Sequence, residues 1–390
     1  MNKKLGFSTG DKSLFMSVII LSIIGLVSVY SASFYNSEIS YNNRYYFVIK
    51  QLEGVLIGIV CMFITANIDY RKYQKPNVIF AIVGIAILTL VFVPFLSVEI
   101  YGAKRWINLG LFTLQPSEIS KFCLVIFIAG YFSKRQQATK SFVGILPILA
   151  VGGAMCFLII IEPNMSVTVC VGLTLLLMLF AAGVKGKLLA CILVPLVLAV
   201  PILIAIEPYR LKRLSAFLNP WESPQGEGYQ LLQSLYGLGS GGWFGVGLFN
   251  SRQKFRFLPF SESDFILSVI GEEIGFVGTA LLFLLMYFVI FRGLKIALSC
   301  KDYFGYLLSL GITGVYSVQV MINALVVTGS IPPTGLPLPL ISAGNTSIII
   351  FMAAFGILYN ISKNIENYNQ LRVQNSSARR RELRIKNYEL

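Results

Sequence analysis

Ten apolar windows dominate this chain, near 14–34, 46–66, 78–97, 116–132, 142–161, 165–183, 188–206, 265–291, 304–327 and 344–362. Most approach or exceed the roughly 20 residues a helix needs to cross a hydrocarbon core of about 30 Å. With 56% of 390 residues hydrophobic and 13% charged, there is too little polar surface to coat a soluble fold of this size. The expected fold is an all-α membrane protein of ten transmembrane helices, with a large extracytoplasmic loop, 207–264, between the seventh and eighth. Residues 1–363 form the polytopic membrane domain and 364–390 a basic cytoplasmic tail. The first apolar run is longer than a signal-peptide core and no small-residue cleavage site follows it, so it reads as a retained span.

Lysine and arginine set the orientation. With the N-terminus inside, the inner segments carry Lys3, Lys4 and Lys12; Arg71, Lys72 and Lys75; Lys134, Arg135 and Lys140; Lys185 and Lys187; Arg292, Lys295 and Lys301; and the basic tail. The short outer loops carry only Arg44, Lys104 and Arg105. That asymmetry places both termini in the cytoplasm, and a loop as long as 207–264 tolerates its own cations on the outside. The formal net charge of +14 is therefore topology and tail rather than a nucleic-acid surface, with the tail lying against anionic lipid. The six cysteines sit in or beside apolar segments without metal spacing and read as small core residues. The chain has no histidine, which removes the commonest general base and the Ser-His-Asp and HExxH arrangements.

Chemistry is sought where polar groups border hydrocarbon, because an Asp or Lys at a helix centre costs roughly 2.5–3.5 kcal/mol there. In YGAKRWINLGLFTLQPSEISK (101–121), Pro116 suits the first position of a helix and Glu118 its first turn. Glu118 and Lys121 then share a face. A snorkelling lysine and a polar cavity both fit that spacing. The glycine-rich stretch 226–247 reads as backbone dipping against other helices. Its GxGxxG lacks a surrounding strand-turn-helix unit and is no dinucleotide site. Arg252, Lys254 and Arg256 within SRQKFR make either a solvated charge run or a seat for a diphosphate. Ser261–Asp264 (SESD) fits a capping box with Ser261 as cap, which would itself account for Asp264. Glu272 is about 12 Å further along the axis, too far to share its proton. The uncharged loop 328–343, with Pro332, Pro333, Pro337 and Pro339, is expected to wall a groove for a lipid tail at Leu336 and Leu338.

The combination of KRWINLG with QPSEISK, then GEGYQLLQSLYGLGSGGWFGVGLFNSRQKFRFLPFSESDFILSVIGEEIG, then PPTGLPLPLIS closely resembles the SEDS family (shape, elongation, division and sporulation) over nearly the whole chain. GYQLLQS, SRQK and SDFI are most similar to its FtsW/SpoVE branch. The resemblance implies an inverting membrane glycosyltransferase that polymerises lipid II, an undecaprenyl diphosphate-linked disaccharide peptide, at the outer face of the cytoplasmic membrane. It also implies a class B penicillin-binding transpeptidase as partner, together with divisome or sporulation wall-synthesis proteins, and a septal location. The family's catalytic carboxylate falls on Asp264, the expected general base, and the lysine of QPSE-x2-K on Lys121. Arg105, Glu118, Gln115, Gln233, Arg252, Lys254 and Ser342 are the candidate substrate-binding residues. No organic cofactor is expected; a divalent cation, Mg2+ or Mn2+, bridging carboxylate and diphosphate is left open. Two positions depart from the family pattern, Asn164 after Pro163 and Asn345 within SAGNTS. The competing class is a flippase for the same lipid, which would use Glu118 and Lys121 near the midplane.

Overall fold

The computed structural model describes residues 10–100, 103–108, 110, 113–206, 208–226 and 228–388. Lys3, Lys4 and Tyr101 lie outside the described residues, as do the side chains of Arg210 and of the tail beyond residue 366. The helices are α1 Lys12–Tyr41, α2 Tyr46–Asn67, α3 Asn77–Thr89, α4 Pro116–Lys134, α5 Phe142–Ile161, α6 Met165–Ala181, α7 Gly186–Ile206, α8 Pro208–Leu218, α9 Tyr229–Gly241, α10 Ile266–Ser299, α11 Tyr303–Val327 and α12 Asn345–Tyr388. Each of the ten apolar windows overlaps a helix, but the third, 78–97, runs past the end of α3 at Thr89 through a short 3-10 turn to the strand that starts at Ser97. Among the described residues, six are long and apolar enough to cross a membrane: α1, α2, α5, α10, α11 and the Asn345–Glu366 part of α12. α12 continues through the polar tail instead of ending near residue 362.

Burial sorts these helices. α4 is buried almost all round, and α3, α5, α6, α11 and α12 pack on it. A helix enclosed on every side cannot send a charged side chain out to water. α2 and α10 instead turn large apolar side chains such as Val60, Phe63, Leu281 and Leu284 outward, as lipid-facing surfaces do.

The stretch 207–264 is not a formless loop. α8 and α9 fold from it, and α9 lies along α10. Gly275 breaks α10 with φ 67° and ψ −170°, a conformation open to glycine at little cost. The freed backbone groups find partners in the glycine-rich turn that follows α9. Val246 and Gly247 donate to the carbonyls of Glu272 and Glu273 (3.0 Å each), and Phe276 and Val277 donate to those of Gly242 (2.9 Å) and Trp243 (3.0 Å). This is the irregular backbone expected to lie against helices, and its polar groups are satisfied inside the protein, as a membrane setting demands.

The helical expectation omitted a small antiparallel sheet between α3 and α4: β1 Ser97–Ile100, β2 Ala103–Asn108 and β3 Thr113–Leu114, in that order. Its strands are short, and they lie between the end of an apolar window and the start of a helix, where neither period is long enough to show. Its consequence is positional, for β2 carries Arg105 across to the end of α5.

Candidate functional site

Asp264 lies two residues ahead of α10, whose cap position is Phe265 with no side-chain cap bond. The capping box is therefore not formed. Ser261 spends its hydroxyl on the Ala32 carbonyl and the Glu262 carboxylate instead. The turn holding Asp264 is fixed through its backbone. Asn323 of α11 donates to the Asp264 carbonyl and to that of Leu336 (2.8 Å each). Ser342 donates to the Ser263 carbonyl (2.6 Å) and accepts from the Leu338 N–H (2.8 Å). The Ala343 N–H reaches the Glu262 carbonyl (2.9 Å). Main chain is thus clamped on both sides of a half-buried carboxylate that no side-chain hydrogen bond among the described residues engages.

Two guanidinium groups act on that carboxylate. Loss of hydration pushes Asp264 up to about 7; Arg105 and Arg213 pull it down, and Glu262 pushes it up. Arg105, on β2, is anchored by donating to the backbone carbonyls of Glu162 (3.1 Å) and Pro163. Arg213, on α8, reaches the Pro333 carbonyl of the proline-rich loop (3.4 Å). Glu162 itself is 1% exposed, and among the described residues neither of its carboxyl oxygens has a hydrogen-bond partner. Burial pushes its carboxyl up to about 8 against the pull of Arg105, so it holds its proton at neutral pH. Glu262 is also raised, chiefly by burial.

Lys121 goes elsewhere. The residue is 1% exposed, and its ammonium donates to Glu118 Oε1 and Gln319 Oε1 (2.7 Å each), with the Phe351 ring 5.6 Å away. Gln319 in turn donates to the Pro337 carbonyl (3.0 Å). Snorkelling is excluded by this enclosure, and the cations acting on Asp264 are Arg105 and Arg213. Glu118 Oε2 is left without a partner among the described residues. Gln115 follows β3 and takes the cap position of α4, its backbone N–H donating to Thr346 Oγ1 (3.2 Å). Gln233 is half-buried on α9.

The SRQK segment turns its lysine inward, away from any seat for a diphosphate. Lys254 is 1% exposed and its ammonium lies 3.0 Å from Glu273 Oε1, over the Phe34 ring. Glu272 accepts the backbone N–H groups of Arg252 (3.1 Å) and Gln253 (3.3 Å) and the Ser251 hydroxyl. Arg256 donates to Asn36 and Ser40 of α1 (3.1 Å each). These groups tie the loop to α1 and α10 because two carboxylates buried beside a broken helix need donors. Arg252 keeps an exposed side chain. Ser342 is likewise 3% exposed, with its hydroxyl committed to the Asp264 turn. Leu336 and Leu338 are buried at 0% and 1%, so they fill the core instead of walling a groove.

Residues that sequence reasoning passed over complete the site: Arg213, Glu162, Asn323 and Gly335. Gly335 donates its N–H to Ser166 at the start of α6 (3.0 Å), which holds the proline-rich loop close to Asp264. Asn164 caps α6 through Val167 N–H (3.3 Å), a task for which Asn and Asp serve equally.

A family model described as "Cell cycle protein", covering FtsW, RodA and SpoVE, matches residues 11–367. This chain belongs to the FtsW/RodA/SpoVE family. It is 37% identical over 362 residues to the stage V sporulation protein E of Bacillus subtilis (strain 168), covering 90% of this chain and 97% of that protein. It is also 37% identical over 370 residues to the probable peptidoglycan glycosyltransferase FtsW of Trichlorobacter lovleyi, covering 94% and 96%. Among solved structures it is similar to a chain from the work titled "Structural coordination of polymerization and crosslinking by a peptidoglycan synthase complex", with a TM-score of 0.77 and 26% identity over 91% of this chain and 98% of that one. Rod shape determining protein RodA of Thermus thermophilus shares the fold, with a TM-score of 0.67 at 24% identity over 93% of this chain and 98% of that one.

Proposed function

We propose that this family member is a peptidoglycan glycosyltransferase that polymerises lipid II at the outer face of the cytoplasmic membrane, in division or sporulation wall synthesis, with Asp264 as general base. The family supports the reaction. One observation supports the role of Asp264: a backbone-clamped carboxylate, uncommitted by side-chain hydrogen bonds among the described residues, within electrostatic reach of Arg105 and Arg213.

The chemistry follows from that arrangement. Asp264 in its ionised form takes the proton of the acceptor sugar's 4-hydroxyl as that oxygen attacks the donor's anomeric carbon. The anomeric C–O bond breaks and the lipid diphosphate leaves, with inversion. Arg105 and Arg213 face the charge that develops on the diphosphate, where planar guanidinium groups bind phosphate oxygens in pairs. Lys121 acts on the site through Gln319 and the Pro337 carbonyl, as a positioning residue. Among the described residues no three Asp, Glu, Cys or His side chains gather as a metal site. An Mg2+ or Mn2+ would therefore be held by Asp264 together with diphosphate oxygens, where it would neutralise leaving-group charge.

We infer ten spans with both termini cytoplasmic, the orientation that the lysine and arginine distribution favours, and a class B transpeptidase as partner. A flippase would need its polar residues near the midplane. The Glu118–Lys121 pair is buried deeper than Asp264, but Lys121 is satisfied by its own neighbours. Purified protein given labelled lipid II in detergent, alone and with a co-purified transpeptidase, tests the reading: glycan strands support it. Transbilayer movement of lipid II in vesicles without any polymer would support transport instead.

A further inference from the structure

The C-terminal part of α1, where it meets the Asp264 turn, carries a run of aromatic rings that the chemistry above does not use. Tyr30 stacks on Tyr45, the residue before α2, with ring centres 5.8 Å apart and planes within 8° of parallel. It also meets Phe249 edge-on (5.8 Å) and lies beside Phe34 (6.1 Å), which in turn packs on Phe255 (6.2 Å). Tyr41, the last residue of α1, stacks on Tyr46 at 3.8 Å. These rings are not core: Tyr41, Tyr45, Phe249 and Phe255 are each 43–54% exposed.

Exposed tyrosines ordinarily form a belt at the lipid interface. Here α1 has 30 residues, about 45 Å of helix against a hydrocarbon core of about 30 Å. Its apolar run starts at Leu14, so its last turns, with Tyr41, and the connection to α2, with Tyr45, stand beyond the hydrocarbon. Their neighbours there are polar. Asn42, Asn43 and Arg44 are exposed, Arg44 pairs with Glu38, and Arg256 donates to Asn36 and Ser40 (3.1 Å each). The same stretch of α1 holds the Asp264 turn: Ser261 donates to the Ala32 carbonyl (3.3 Å), and the Asn36 amide donates to the Glu262 carboxylate. Glu262 acts electrostatically on both Asp264 and Tyr41. The rings therefore begin beside the candidate base.

A row of half-exposed rings edged by amides suits a sugar chain. One face of a β-linked pyranose is a set of C–H groups that packs on the electron-rich face of an aromatic ring, while its hydroxyl and acetamido groups exchange hydrogen bonds with amide side chains at the edge. An acyl chain or an apolar helix laid on these rings would instead strip water from Asn42, Asn43 and the Arg44–Glu38 pair without replacing its hydrogen bonds. We propose that this aromatic shelf binds the growing glycan strand, a chain of β-linked N-acetylated amino sugars, as it leaves Asp264. The proposal rests on the polymerase reading above and adds to it a site that retains product between additions, apart from the bond-forming step.

Saturation-transfer NMR of chitohexaose, a soluble strand of β-linked N-acetylglucosamine, with full-length Asp264→Asn protein in detergent tests binding without catalysis. The expected result is transfer to the sugar C–H protons and an affinity about 10-fold weaker when Tyr41→Ala/Tyr45→Ala is added, while Tyr41→Phe/Tyr45→Phe, which keeps the rings, binds within about twofold of the parent. In protein that retains Asp264, Tyr41→Ala/Tyr45→Ala should shorten the glycan strands several-fold at low enzyme-to-lipid II ratio and leave the rate of forming the first bond unchanged. No transfer from the parent protein, equal affinity in the alanine variant, or strands of unchanged length would each overturn the proposal. Loss of a co-purified transpeptidase from the alanine variant, with chitohexaose binding unchanged, would also overturn it and assign the shelf to a protein partner. Because the binding measurement needs no polymerase activity, a wild type that binds chitohexaose yet makes no strands would refute the polymerase reading and leave the sugar site standing.

Discussion

Gly335 lies against the carboxylate of Asp264: a Cβ added at Gly335 would stand 3.2 Å from Asp264 Oδ2. The proline-rich loop thus approaches the candidate base as closely as its missing side chain allows. A methyl group there would push the carboxylate by a few tenths of an ångström without touching the core. Gly335→Ala is expected to fold normally and to lower kcat by roughly tenfold, since displacements of about 1 Å can cost 10²-fold. Single-turnover polymerisation rates of correctly folded variant check this.

The pH dependence follows from Asp264 being pushed up to about 7. A base must be ionised, so the rate should rise with pH through about 7 and level above it. In Arg213→Gln one of the two cations that lower this value is gone, so the rising limb moves to higher pH and kcat/KM falls by roughly 10–100-fold. An unshifted limb in that variant would remove Arg213 from the site. The pH–rate profiles of the two proteins are the measurement.

The same shift has a stability consequence. A carboxyl whose value is raised on folding from its ordinary 3.8 costs nothing at pH values below 3.8. Its cost builds between about pH 4 and 7 and is complete above 7. Asp264→Asn should therefore raise the thermal midpoint, more at pH 8 than at pH 5, while removing activity. Thermal scans at the two pH values test the sign.

Lys254 and Lys121 separate by rescue. Lys254→Met leaves Glu273 buried and unpaired, a loss of about 3–5 kcal/mol, so protein yield should fall. Lys254→Met/Glu273→Gln should restore yield and specific activity together. In Lys121→Met/Glu118→Gln the stranded charge is also removed, yet polymerisation should stay lost because Gln319 no longer has its cation. Yield and polymerisation rate measured side by side distinguish the two pairs.

Most of this fold could be read from hydropathy because membrane spans must satisfy their own backbone, which leaves long apolar runs as the signature. Asp264, Arg105 and Lys121 were visible through their motifs. What escaped depended on contacts distant in sequence. SRQKFR reads the same whether its cations face solvent or buried carboxylates, and only the break at Gly275 brings Glu272 and Glu273 beneath that loop. Arg213 looked like one more cation in a basic stretch until α8 placed it at the proline-rich loop, within electrostatic reach of Asp264. Gly335 carries no side chain to announce its role.

The central claim is that Asp264 supplies the base. The direct test is lipid II polymerisation by purified wild type and Asp264→Asn, each with the same co-purified transpeptidase and shown to bind it equally. The account predicts glycan strands from the wild type and none from the variant across pH 6 to 9. Strands from Asp264→Asn at a rate within a few-fold of wild type would contradict it.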